Sequence, residues 1–442
     1  MSEPKRKIES SNSASQRPDY YEFTYDMFIG SVDGEESEIS RFSDTIDSAI
    51  ADGVYAYEVP RLEAQRTEVK AQRPDGLRLN LLNFSSYNYL GYAQHPEVIA
   101  AAKAALDEYG LGACSSPVQA GTLGLHTILE KRLADFIGAP NLGVSLFSSG
   151  YGVNTGTISA IMKRGHHIVI DKSSHMSIVE GAQLARSKLH FFEHNDADSL
   201  NSVLTEIGAD AERILVCTEG VFSADGDFGA LDKILPVAKS HGAHVLVDEA
   251  HSFLLCGSHG RGVADMMGVL DQVDYLVVTF SKALGGVGGA LIARCDVTRY
   301  VNWYARCRMF SAAIDPAVTA GVTRGLELGM GEAGDAARER LRKNAALLRS
   351  LLKGRVKIGD SESWIVPVIF GSESLIVPLS DWLQRHGMDG SVMSFPAVPI
   401  NEARVRLFVT SEHSEDQIRR CASIVLRAAE QFGFLLETEI AT

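Results

Sequence analysis

Thr279-Phe280-Ser281-Lys282-Ala283-Leu284-Gly285-Gly286 follows directly on the apolar run Asp274-Tyr275-Leu276-Val277-Val278. The run reads as a buried strand and the glycines as the turn that follows it. A lysine at a strand's end, in a site that lowers its pKa, is how a protein holds an aldehyde cofactor as a Schiff base. The flanking hydroxyls of Thr279 and Ser281 and the glycines behind them point to a bound phosphate. An aldehyde that also carries a phosphate is pyridoxal phosphate (PLP), so the segment points to amino-acid chemistry. Taken alone, a Ser-Lys pair is as readily a surface lysine opening a loop; the upstream sequence decides.

Upstream, His244-Val245-Leu246-Val247-Asp248-Glu249-Ala250-His251 is a second apolar strand that ends in an acid and then a histidine. PLP needs a carboxylate on its ring nitrogen, because the protonated ring is the electron sink. Asp248 fits that need, and His251 is placed to bond the ring's phenolic oxygen or to help hold the acid. Leu146-Phe147-Ser148-Ser149-Gly150-Tyr151-Gly152 is a strand, a small-residue turn and a helix start, where backbone N–H groups face a phosphate. Ile168 to His175 sets a histidine just past a strand, where its imidazole can stack on a cofactor ring. Arg213 to Asp227 adds one more strand with polar groups at its end. Five strands thus deliver polar groups at their C-terminal ends, where open α/β sheets place their sites.

With these residues in hand, the chain resembles the α-oxoamine synthases, fold-type I PLP enzymes that condense an amino acid with an acyl thioester. Relatives of this kind are 8-amino-7-oxononanoate synthase, 5-aminolevulinate synthase, 2-amino-3-ketobutyrate ligase and serine palmitoyltransferase. The resemblance runs over roughly residues 80 to 430. It rests on Asn88-Tyr89-Leu90-Gly91, Ser149-Gly150 with Asn154, His175 with Ser177, Phe191 to Asp196, Glu219 to Asp227, Asp248 to His251, Gly260-Arg261-Gly262 and Thr279 to Gly289. It implies an α/β fold with a mainly parallel seven-stranded sheet and a smaller α+β domain. It also implies a homodimer with shared active sites.

The resemblance assigns roles by position. Lys282 is the Schiff-base lysine and the acid/base at the substrate Cα. Asp248 pairs with the ring nitrogen, His175 stacks on the ring, and His251 and Ser223 lie near the phenolic oxygen. Ser149, Gly150 and Tyr151 form the phosphate turn, with Thr279 and Ser281 beside it. Ser311 resembles the residue a dimer mate contributes to the phosphate site. Arg406 matches the arginine that binds the substrate carboxylate, a task suited to a bidentate guanidinium, and Arg404 is the fallback on the same strand face. Asn88 is the further substrate-binding candidate. One departure stands out: Pro117, in Gly112 to Gly121, occupies about the place of a family arginine near the acyl-donor entry. It bears on the acyl donor, coenzyme A or a carrier protein, rather than on the cofactor chemistry. Serine, alanine and glycine all remain open as the amino acid. An aminotransferase or aldolase of the same fold is the alternative. A non-catalytic subunit is disfavoured because Lys282, Asp248 and His175 are all present.

Composition sets bounds. The chain has 442 residues, is 45% hydrophobic and carries a net charge of −14, which argues against a nucleic-acid groove. Six scattered cysteines without a Cys-x-x-Cys pair fit a reduced, cytoplasmic enzyme with no disulfide framework and no metal site. No stretch approaches the length of a membrane span, and no apolar segment follows the basic start, so neither a transmembrane helix nor a secretory signal is expected. The chain divides into a flexible tail (1–40), a segment packing on the small domain and the dimer mate (41–105), a large cofactor domain (106–309) and a small C-terminal domain (310–442). The short link from Lys282 to the strand near 288–293 requires that strand to run antiparallel. Helices are expected over 95–109, 126–137, 316–353 and 376–386, and strands near 364–370 and 404–409.

Overall fold

The computed structural model describes residues 35–395 and 397–436. The Ser-rich start and the N-terminal aromatics from Tyr20 to Phe28 lie outside the described residues. Residues 35–40, expected within a flexible tail, instead open the helix Glu35–Ala51. Twelve strands follow in the described chain: β1 (Glu68–Gln72), β2 (Arg78–Phe84), β3 (Leu142–Phe147), β4 (His167–Asp171), β5 (Lys188–Phe192), β6 (Ile214–Glu219), β7 (His244–Asp248), β8 (Tyr275–Thr279), β9 (Gly289–Arg294), β10 (Ile365–Gly371), β11 (Met388–Met393) and β12 (Ala403–Phe408).

Seven strands form one sheet in the order β3-β9-β8-β7-β6-β4-β5. The pairs β4–β5, β4–β6, β6–β7 and β7–β8 are parallel. β9 is antiparallel to both β8 and β3, as the short connection after Lys282 requires. Consecutive strand residues alternate between two apolar cores. Val169, Val216, Val245, Val247, Leu276 and Val278 enter one core. Ile168, Ile170, Leu215, Leu246, Tyr275 and Val277 enter the other. A sheet buried on both faces needs apolar residues at every position, which is why these strands read as unbroken hydrophobic runs.

The helices Gly150–Ile161 and Met176–Ala185 cover one face through Val153, Ile158, Ile178 and Ala182. The helices Gly124–Ile137, Ala197–Ile207 and Leu231–Ser240 cover the other through Leu129, Leu200 and Ile234. The first of these ends at Gly138, whose φ of 76° is the left-handed stop that glycine permits. The stretch expected as one helix over 316–353 is two helices, Pro316–Met330 and Glu332–Leu352. They break where Gly334 approaches so closely that a Cβ there would meet the Gly329 carbonyl at 2.1 Å.

The second sheet has five strands in the order β1-β2-β11-β12-β10. Its members come from both ends of the described chain: β2 pairs in parallel with β11, and β12 is antiparallel to β11 and β10. Phe84 stacks on His413 at 4.1 Å, and the His413 ring also meets the Asn83 carbonyl at 3.2 Å. Arg73 is buried and donates to Asp381 at 2.6 Å and to the Gly53 carbonyl at 2.9 Å. Trp364 is 2% exposed and donates to the His251 carbonyl at 2.9 Å, joining the two sheets beside the polar strand ends. No helix is long and apolar enough to cross a membrane, among the described residues.

Candidate active site

Because β4, β6, β7 and β8 are parallel, their C-terminal residues Asp171, Glu219, Asp248 and Thr279 emerge along one edge of the sheet. Lys282 follows three residues after the end of β8. It is partly exposed. Its dense surroundings lower its ammonium to about 8, and the nearby carboxylate of Asp248 partly offsets that effect.

Asp248 is buried, and its carboxylate is held from two sides. Oδ2 accepts from Asn154 Nδ2 at 2.6 Å, and Oδ1 accepts from the Ala250 N–H at 2.9 Å. Asn154 also donates to Ser177 Oγ at 2.9 Å, which lies 2.8 Å from Nδ1 of His175. His175 caps the helix Met176–Ala185, and its main-chain N–H donates to the buried carboxyl of Glu219. Burial in this cluster lowers the His175 imidazole, and Asp248 partly restores it. The Tyr151 ring meets the His175 ring edge-on at 6.0 Å.

His251 is buried beside the cluster, but it does not hold the acid: its Nδ1 lies 2.7 Å from the hydroxyl of buried Tyr89. Burial first, and then the charges of Lys282 and Arg406, push its pKa well below the ordinary imidazole value. A neutral ring with Nδ1 engaged leaves Nε2 as its remaining polar atom.

A phosphate-sized cradle lies at the N-terminus of Gly150–Ile161. Ser149 caps this helix, accepting from the Gly152 N–H at 3.0 Å, so the Gly150 and Tyr151 N–H groups have no intrahelical acceptor. A Cβ on Gly150 would meet Thr279 Oγ1 at 2.6 Å, so only glycine fits against β8 here. Thr279 Oγ1 lies 2.9 Å from Ser281 Oγ. Ser311 lies 3.5 Å from Ser148 Oγ of the same chain. Backbone donors at a helix start, hydroxyls on the next strand and a carboxylate some way along the sheet edge make a set that fits a phosphorylated pyridine.

Arg406 reaches this edge from β12. It donates to the Ser223 carbonyl at 3.1 Å and to Ser391 Oγ at 2.9 Å, and its guanidinium lies 5.1 Å from the Phe408 ring centre. Burial lowers it to about 10, no salt bridge neutralises it among the described residues, and its Nε is buried without a hydrogen-bond partner. Arg404 differs: it is tied to Asp225 at 2.5 Å and to Glu402 at 3.4 Å. The two arginines share a strand face, and of the two only Arg406 lacks an ion pair among the described residues.

Asn88 is not brought to Arg406. Its amide donates to Gln94 Oε1 at 2.7 Å and accepts from the Ala93 N–H at 3.3 Å. It lines a separate cavity of about 560 Å³ between the loop after β2 and the helix Glu332–Leu352. Pro117 lines a small cavity with His126, Glu130, Ser148, Arg308 and Ser311. Arg308, buried there, donates to the Leu146 carbonyl at 3.0 Å, so a guanidinium reaches the rim of the phosphate turn from a different part of the chain.

Behind the site, His194 bridges Asp171 and Asp227, each at 2.9 Å. His194, Asp225 and Asp227 lie close enough together to suggest metal ligands, but these ion pairs and the Arg404–Asp225 pair already use them. Burial opposes a charge on His194, yet its two carboxylate partners raise it to about 10. A histidine raised above its unfolded value of 6.5 stabilises the fold fully below that pH, and the contribution drains away as pH climbs through about 10. The melting temperature of the natural protein should therefore fall between pH 7 and 10 more steeply than that of His194→Gln. Parallel slopes in calorimetry would refute the clamp.

Residues 80–425 match the family Aminotransferase class I and II. A serine palmitoyltransferase of Sphingobacterium spiritivorum is 35% identical over 400 residues, covering 90% of this chain and 98% of that protein. An 8-amino-7-oxononanoate synthase of Alkaliphilus oremlandii is 34% identical, covering 80% and 89%. The solved serine palmitoyltransferase of Sphingomonas wittichii superposes with a TM-score of 0.84 at 32% identity, covering 91% of this chain and all of that one. The chain belongs to the α-oxoamine synthase family of PLP-dependent, fold-type I enzymes.

Sequence reasoning quoted Asn154 and Tyr89 within motifs but gave neither a role. It passed over Glu219 and Ser391 as site residues. Glu219 carried one usable signal: it ends β6 as Asp248 ends β7.

Proposed function

We propose that the protein condenses a small amino acid (serine, alanine or glycine) with an acyl thioester, losing carbon dioxide and giving an α-amino ketone. The observation that carries this reading is the half-buried Arg406, without an ion pair among the described residues and close enough to Lys282 to act on it electrostatically. It offers a carboxylate-binding guanidinium next to a lysine lowered to about 8. When bound, PLP supplies an electron sink for the electrons left as the Cα proton departs.

The chain's own groups do the rest. Gly150, Tyr151, Thr279 and Ser281 hold the phosphate, and Ser149 shapes their turn. Asp248, fixed by Asn154 and the Ala250 N–H, holds the ring nitrogen. His175 would cover the ring, and His251 and Ser223 would lie near its phenolic oxygen. Arg406 grips the substrate carboxylate in bidentate fashion, which fixes Cα over Lys282. Lys282 then takes and returns the Cα proton, and a pKa near working pH suits both directions. The overall reaction joins Cα to the acyl carbon and releases the thiol.

A homodimer with shared sites goes with this reading. Phe310 is 80% exposed next to Ser311, and Tyr300, Trp303 and Tyr304 are exposed on the helix Cys295–Tyr304. These apolar surfaces suit a second copy of the chain that brings Ser311 toward its phosphate site.

The test pairs each of the three amino acids with acyl-coenzyme A and acyl-carrier thioesters of increasing length and follows thiol release. One pair should give thiol and carbon dioxide in equal amounts. Thioester-independent formation of an oxo acid from the amino acid would replace this reading with an aminotransferase.

A further inference from the structure

Glu219 is the carboxyl of this cluster that the reaction above does not use. It ends β6 directly opposite Asp248 at the end of parallel β7. Side chains paired this way leave the same face about 5 Å apart. Glu219 is 4% exposed and makes no ion pair among the described residues. Its carboxyl accepts from the main-chain N–H of His175, which caps the helix Met176–Ala185.

The groups around it come from every neighbouring element. Asp248 on β7 and Asp171 on β4 are like charges, Lys282 after β8 is the nearby cation, and His175 bonds it from the helix start. Burial, and then the adjacent Asp248, push its pKa well above the ordinary carboxylate value. A second buried anion beside Asp248 would compete for the cationic ring that Asp248 is placed to hold, whereas a neutral carboxyl accepts the His175 bond without doing so.

We propose that Glu219 is a positioning residue that works as a neutral carboxyl. It fixes the His175 main chain, and with it the ring that covers the cofactor, and it leaves Asp248 as the single formal negative charge paired to the cofactor. The proposal rests on the synthase reading for its setting, and it is tested without relying on turnover.

Glu219→Gln keeps the oxygen that accepts from His175 and mimics a protonated carboxyl, whereas Glu219→Ala removes both. The pH midpoint of visible absorbance in the PLP-loaded protein reports the charge around Lys282. The circular dichroism of bound PLP reports how its ring is held. Glu219→Gln should leave the midpoint within about 0.3 unit of the natural protein. It should also retain the dichroism. Glu219→Ala should lose most of the dichroism and bind PLP about tenfold more weakly. In the PLP-free protein, the His175 ring-proton resonance should titrate alike in Glu219→Gln and the natural chain.

A midpoint moved by about one unit or more in Glu219→Gln means that a charge was lost and overturns the neutral carboxyl. Unchanged dichroism in a folded Glu219→Ala overturns the positioning role. Neither outcome depends on which thioester is used, so failure here is distinct from failure of the synthase reading.

Discussion

Lys282→Ala should cripple the Cα proton transfer while leaving the chain folded and able to hold PLP through its phosphate and ring-nitrogen contacts. Loss of a positioned acid/base costs roughly 10²–10⁴-fold. Losing the covalent anchor as well sets the expected fall in kcat at the upper end of that range or beyond it. The pH dependence has a definite sign. Below about 8 the ammonium dominates, and above it the free amine does. Capture of PLP by the cofactor-free protein should therefore quicken through pH 8, well below the range of an ordinary lysine. Stopped-flow absorbance measures this directly, and a midpoint near 10.5, the ordinary lysine value, would contradict the lowered pKa.

Arg406→Ala and Arg404→Ala should part company. Arg406 carries no carboxylate partner among the described residues, so on its proposed role its removal should take away the grip on the substrate carboxylate. A charged hydrogen-bond pair is worth about 1.5–3 kcal/mol. This predicts a KM for the amino acid about 10–150-fold higher. Arg404 is 3% exposed and paired with Asp225. Breaking that pair leaves Asp225 without its partner and lowers the melting temperature, with KM much less changed. Steady-state kinetics and thermal melts on both variants decide the matter. Equal KM effects would return the choice between the arginines to where the sequence left it.

Much of the large sheet was legible in the sequence. β6, β7 and β8 are buried on both faces, so they appear as unbroken apolar runs ending in polar residues. That pattern located Lys282, Asp248, His175 and the Gly150 turn together. The second sheet was only partly legible. β1 alternates between exposed and buried residues, and β11 holds Asp389, Gly390 and Ser391, which are poor strand formers. β11 becomes a strand because β2, some three hundred residues earlier, lends it a hydrogen-bonding edge. Glu219 and Asn154 were legible as letters, but their roles depend on a register between strands and on an Asn–Asp contact spanning distant segments. The setting of Asn88 likewise depends on the folded chain, where its side chain meets that of Gln94.

The order of strands in the second sheet has a consequence for how the chain is assembled. β11 and β12 are its central strands, yet they are the last strands of the described chain to be synthesised. As the chain emerges, Lys282, Asp248 and the phosphate turn are present on a sheet built from contiguous segments, while β2, already paired with β1, and β10 each wait with an open edge. Those edges pair only when residues 388–408 arrive from far along the sequence, a slow, entropy-limited closure. Arg406 travels on that closing strand. On the proposed roles, the groups for the cofactor are therefore in place before the arginine for the substrate, and the unpaired edges mark an interval in which the nascent chain is exposed to aggregation.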